Sequence, residues 1–249
     1  ALQRYYANDT ENATIFALER GTDLAVTNGG TGNFYGIYDP NYLKPSASQV
    51  GFMWRTMYQI IGKANEIIAA AEDLEDTPSL RATVSEAKCF RAQSYFLLYR
   101  TFDRIWLNIQ PTTAENVNDP RDFHAASEKE VFDLIYEDLE YAITNLDWVS
   151  DEAGRFTQAA ARHMKAKAAL WLKDWDTTLE QVEEIEKSGH FDLIALNEVF
   201  NAGDLNHKEA LMVQQWSKNP GGNLSNATPK GNYYAAYFIA QYRTEIGGT

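Results

Sequence analysis

The sequence predicts a mainly α fold: an α-α superhelix of tetratricopeptide-like helical hairpins, with long loops and little β structure. Three observations carry that prediction. Apolar residues recur at steps of three and four through five segments between residues 50 and 189, the spacing of one helix face. Residues that start or stop helices (Pro78, Ser127, Thr157, Gly189) fall between those segments. Small residues such as Ala160 and Ala168 recur where paired helices would cross, as in stacked helical repeats.

The elements follow in order. After a polar start, Ala13–Arg20 offers a short helix. Thr27–Ser48, TNGGTGNFYGIYDPNYLKPSAS, is rich in glycine, asparagine, proline and tyrosine and reads as a long loop over 27–48. Loops of that length inside a domain are usually functional or disordered. Trp54, Tyr58, Ile61, Asn65 and Ile68 step by four, three, four and three, predicting a helix from Val50 to Leu74. Pro78 suits the first turn of the next helix, which fades near Trp106–Pro111. Thr112–Ala126 is a polar connector. Ser127 and Glu130 make a capping box for a third helix, with Val131, Leu134, Ile135, Leu139, Ala142 and Leu146 on its inner face.

Gly154–Thr157 then resets the chain, and Thr157 caps a fourth helix whose inner face is Ala160, Met164, Ala168 and Trp171. Beyond a Lys173-Asp174 turn, Trp175, Leu179, Val182 and Ile185 mark a fifth helix, closed by Gly189. Thr157–Lys187 has the length and the Ala/Trp placement of a degenerate tetratricopeptide hairpin. Trp54, Trp171 and Trp175 read as core. The chain is expected to form one domain, 1–249, with a helical-repeat core at 50–189, and to belong to a longer protein. Residues 190–249 are irregular, with Ala210–Trp216 suited to a short strand.

Composition narrows the function. A net charge of −13 opposes a nucleic-acid backbone and anionic lipid alike. Cys89 is the only cysteine, so an intrachain disulfide and a thiolate metal cage are excluded. No run approaches the length of a membrane-spanning helix. The chain begins at Ala1 without a methionine, as a processed or trimmed product would.

No catalytic constellation appears. The four histidines are isolated, without HExxH spacing, and no Gly-x-Ser-x-Gly elbow is present. Asn28–Gly32 lacks the lysine and spacing of a phosphate loop. Glu183-Glu184 reads as a solvated helix face, and Asp174-x-Asp176 lacks the glycine of a calcium loop. No metal site, catalytic residue or cofactor is expected.

Two segments stand out. In the helix around Glu86–Phe102, residues Val84, Ala87, Arg91, Tyr95, Leu98 and Phe102 share one face. A cation within that stripe needs a partner to offset its desolvation. Arg91 is therefore expected to anchor neighbouring helices through a carboxylate or helix-end carbonyls. In the 27–48 loop, Phe34, Tyr35, Tyr38 and Tyr42 interleave with Asn33, Asp39 and Asn41. Flat rings match the C–H faces of a sugar, while amides and carboxylates match its hydroxyl rim. Phe34, Tyr35, Tyr38, Asn41 and Tyr42 are the candidate ligand contacts. The other reading of the same residues is a structural loop pinned to the helices by its tyrosines. Near the chain end, Tyr234, Tyr237 and Phe238 have helical spacing and read as one face of a packed helix.

Taken in order, these segments resemble the SusD/RagB family of bacterial outer-membrane glycan-binding lipoproteins. Trp54, Tyr58, Ile61 and Asn65-Glu66-Ile67-Ile68 resemble its first conserved helix, and Glu86-Ala87, Arg91-Ala92 and Tyr95-Phe96 its most recognisable signature. Glu137-Asp138-Leu139, Gly154-Arg155-Phe156-Thr157, His190-Phe191 and Glu209–Val213 resemble later blocks. The chain departs from the family at Arg104–Leu107, where a proline is usual. On this resemblance Trp54, Tyr58, Asn65, Glu86, Arg91, Tyr95 and Arg155 are structural signature positions. The resemblance implies a lipid-anchored cell-surface protein that captures oligosaccharide over a TonB-dependent outer-membrane transporter, without chemistry of its own. A helical-repeat adaptor for a peptide or protein partner is the competing reading.

Overall fold

The computed structural model describes residues 48–121, 123–199 and 206–213. The described residues fall into two units, 48–59 in one and 60–213 in the other. They contain six helices: α1 (Ser48–Ala71), α2 (Pro78–Thr101), α3 (Glu128–Asn145), α4 (Gln158–Leu172), α5 (Trp175–Lys187) and the short α6 (Leu196–Val199). No β-strand occurs among the described residues; 210–213 are irregular, and the remainder of the expected strand lies outside them.

Helix ends follow the local chemistry. The Thr77 hydroxyl accepts from the Leu80 N–H at 3.2 Å, and Pro78 occupies the first turn of α2, where a missing N–H costs nothing. Ser127 and Glu130 close a reciprocal capping box on α3: Ser127 Oγ accepts from Glu130 N–H at 3.3 Å, and Glu130 accepts from Ser127 N–H at 2.8 Å. Thr157 caps α4 with a single bond, its hydroxyl accepting from the Ala160 N–H at 3.2 Å. Lys173, with φ +61°, takes the left-handed conformation that ends α4, and Asp174 caps α5. A turn that tight makes α4 and α5 antiparallel neighbours. Beyond Ser188, Gly189 adopts φ +70°, a conformation that favours glycine.

In the unit starting at residue 60, helices stack in chain order: α2 packs on α3, α3 on α4 and α4 on α5. That is the pattern of a helical-repeat protein. The core of this stack is Ile135, Leu139, Ala142, Tyr95 and Leu98 between α2 and α3, continued by the fully buried alanines of α4. Alanine at those crossings lets the helices approach closely. In the other unit, Met53, Thr56 and Met57 are buried on α1, and the Trp54 and Tyr58 rings meet at 4.8 Å.

Three tryptophans depart from the core role expected of them. Trp54 is half-buried, while Trp171 and Trp175 are 48% and 57% exposed. On α5 only Ile185 of the expected inner face is buried; Leu179 and Val182 are exposed, and Gln181 turns inward instead. The reason is the Ala-rich surface of α4, which is too flat to cover a full apolar stripe. Gln181 enters because Arg162 Nη1 donates to its Oε1 at 2.9 Å. Trp171 lies at the edge of the stack, edge-on to Phe96 at 6.4 Å.

Candidate functional site

The charged stripe of α2 closes on a buried polar network. Asp138 of α3 is fully buried between two cations. Arg91 Nε donates to Asp138 Oδ2 and Nη2 to Oδ1, both at 2.7 Å, giving a bidentate fork. Lys88 Nζ, one turn earlier on α2, donates to the same Oδ1 at 2.8 Å and lies 5.2 Å from the Tyr141 ring centroid. Both cations therefore approach one carboxylate from a single helix face, which the spacing of 88 and 91 imposes.

The network continues into α1 and the α2–α3 connector. Arg91 Nη1 donates to Asn65 Oδ1 at 2.8 Å, and Asn65 Nδ2 donates to the Asn108 carbonyl at 2.7 Å. Tyr95 Oη donates to that carbonyl at 2.9 Å and accepts from the Asn108 N–H at 2.7 Å. Three helices and the connector are thereby tied at one point, and each buried charge has hydrogen-bonded partners. Chemically the arrangement holds still; it presents neither a nucleophile nor an acid to a ligand.

Cys89, beside this network, is fully buried. Burial first, then the negative charges of Asp138 and Glu86, push its thiol well above the ordinary range. A thiolate is not accessible there near neutral pH. Among the described residues, no group of three or more His, Cys, Asp or Glu side chains could hold a metal ion. No helix among them is long and apolar enough to cross a membrane.

The signature positions named from the sequence fall into three places. Asn65, Arg91 and Tyr95 meet in the network. Glu86 and Arg155 pair at 2.7 Å on the surface, linking α2 to the segment that precedes α4. Trp54 and Tyr58 meet along α1 with their rings inclined by 44°. Phe34, Tyr35, Tyr38, Asn41 and Tyr42 lie outside the described residues, as do the aromatics at 233–242. Sequence reading named Asp138 only within a resembling block and did not assign it, Lys88 or Asn108 to the network. Asp138 carried a usable signal, since it stands three residues after Ile135 and four before Ala142, on the apolar stripe of α3.

A stack of helical hairpins locked by a buried ionic network defines a scaffold of the tetratricopeptide-like class. Residues 6–170 match the family model described as "Starch-binding associating with outer membrane", and the chain belongs to this SusD-like family. A SusD-like protein of Bacteroides ovatus is 26% identical over 212 residues, covering 75% of this chain and 38% of that protein. The chain thus spans about two fifths of the length of that curated relative. Among solved structures, a SusD-like protein of Bacteroides fragilis has a TM-score of 0.65 at 23% identity, over 76% of this chain and 38% of its own. A second solved structure, described as being with xylogluco-oligosaccharide, has a TM-score of 0.65 at 23% identity, over 80% of this chain and 40% of its own. At such identity these two structures establish the fold.

Proposed function

We propose that this protein binds oligosaccharide or polysaccharide at the bacterial cell surface for nutrient uptake. It acts as the lid-like partner of a TonB-dependent outer-membrane transporter and performs no chemistry itself. The observation that carries this reading is the family match through residues 6–170, with its description of starch binding and of the outer membrane. The xylogluco-oligosaccharide held by a protein of the same fold points the same way. Lipid anchoring of the full-length protein belongs to this reading.

The sugar contacts are assigned to the 27–48 loop, with Phe34, Tyr35, Tyr38 and Tyr42 as stacking faces and Asn41 as a hydroxyl partner. On this reading the buried network of α1–α3 serves the scaffold and makes no contact with the sugar. A glycan array followed by titration calorimetry tests the reading. The protein should retain a polysaccharide, and Tyr38→Ala with Tyr42→Ala should weaken that binding while leaving the melting temperature in place. Tight binding of a peptide with no glycan retained would overturn it in favour of the adaptor.

A further inference from the structure

The connector between α2 and α3 carries a second aromatic surface, and it is held in place. Residues 102–127 contain no helix or strand among those described, well beyond the roughly 15 residues at which an irregular segment usually has a function of its own. Yet this connector is built. Ile105 is 2% exposed, and its carbonyl accepts from the Ala126 N–H at 2.9 Å, so the two ends of the segment run side by side. Asn108 is clamped by Tyr95 and Asn65, the outer members of the buried network. Between them, Thr113 N–H donates to Asn116 Oδ1 at 2.8 Å, and Arg121 donates to the Thr112 hydroxyl at 3.1 Å.

On this pinned segment Phe123 is 69% exposed, with its ring 4.8 Å from the Trp106 ring and inclined by 58°. An ordered scaffold that presents aromatic rings to solvent is an arrangement for recognition rather than for packing. Exposed residues of the same connector (Thr112, Thr113, Glu115, Asn118, Asp119) carry hydroxyls, amides and carboxylates. A connector of that polarity argues against a protein partner, because the centre of a protein interface is depleted of charge and is far larger than two rings. It suits a pyranose ring, whose C–H face needs one aromatic plate and whose hydroxyls need mixed donors and acceptors.

We infer that Trp106 and Phe123 form a second sugar-contact site, separate in sequence from the 27–48 loop, that takes a pyranose unit of a polysaccharide. The inference rests on the glycan-binding reading given above.

The test is affinity electrophoresis of the purified protein in gels containing soluble starch or xyloglucan, with the melting temperature measured in parallel. Phe123 is the residue to change, because Trp106 is half-buried and its loss could unfold the connector. Phe123→Ala should weaken retention by about fivefold, the scale of one aromatic contact, with the melting temperature unchanged within about 2 °C. Phe123→Tyr should retain binding, and Phe123→Leu should not. Unchanged retention of Phe123→Ala, beside a loss in Tyr38→Ala/Tyr42→Ala, would overturn the second site and leave the glycan-binding reading standing. Equal rescue by leucine, or a fall in melting temperature in Phe123→Ala, would show a packing role and overturn it as well. A parent protein retained by neither polysaccharide would overturn the function for these glycans and the second site together.

Discussion

Removing the carboxylate of Asp138 should be among the most destabilising single changes available in this protein. In Asp138→Ala the Arg91 guanidinium loses two hydrogen bonds of 2.7 Å and Lys88 loses one of 2.8 Å. Both cations have side chains no more than 10% exposed, so water cannot replace the lost partner without opening the helix pair. Stranding a buried charge in this way costs about 3–5 kcal/mol. Arg91→Ala should cost less, because Asp138 keeps Lys88 as a counter-ion. Arg155→Ala should cost no more than about 1 kcal/mol, since the Arg155–Glu86 pair lies at the surface with Arg155 48% exposed. Urea unfolding followed by circular dichroism at 222 nm gives each difference as the midpoint shift multiplied by the slope. The control is the triple change Lys88→Met, Arg91→Met, Asp138→Leu. Replacing the whole cluster with apolar groups should recover most of the loss, because the penalty comes from stranded charge and not from missing attraction. If Asp138→Ala costs under about 1 kcal/mol, or the triple variant is no more stable than Asp138→Ala, the reasoning fails.

Other changes probe the rest of the fold. Ser127→Ala should lower stability by about 1 kcal/mol by leaving the Glu130 N–H without its cap, read from the same urea midpoints. Trp175→Ser should cost under about 1 kcal/mol despite the size of the side chain, whereas truncating a core aromatic costs about 3–5 kcal/mol; a loss in that upper range would return Trp175 to the core. Cys89 should resist a disulfide reagent at pH 8 in the folded protein and react readily in urea, because burial keeps its thiol protonated. Rapid reaction without urea would show the α2–α3 interface to be open.

Much of the helical architecture was legible because its signals are local. Pro78 and the Ser127–Glu130 box mark helix starts by chemistry that acts within one turn, and the structure uses both. The burial of α5 was less legible. Its apolar stripe at Trp175, Leu179 and Val182 has good helical period, but period states only that a face is apolar, not that a neighbour covers it. What decides is the surface of α4, and that surface is alanine. The end of α2 was read too long for a similar reason: Trp106 and Ile109 carry apolar character past Thr101 without being helical, since Tyr95 and Asn65 hold the Asn108 backbone in the connector.

The ionic network shows where a sequence holds more than one position reveals. Arg91 alone, a cation among Ala87, Tyr95 and Leu98, requires only that some partner exist. Glu137, Asp138 and Glu140 are close in the sequence, and composition does not separate them. Helical phase does. Ile135, Leu139 and Ala142 are buried, and Asp138 shares their face, whereas Glu137 and Glu140 lie on the exposed side. A carboxylate on one apolar stripe and a guanidinium on another each carry a desolvation cost that the other offsets, so each anomaly predicts the other. Pairing them also fixes the register of α2 against α3, because sliding either helix by one turn would strand both charges. On that argument the unusual stripe of α2 is a positional lock. Through Asn65 and Tyr95 the same lock also holds the Asn108 backbone of the connector.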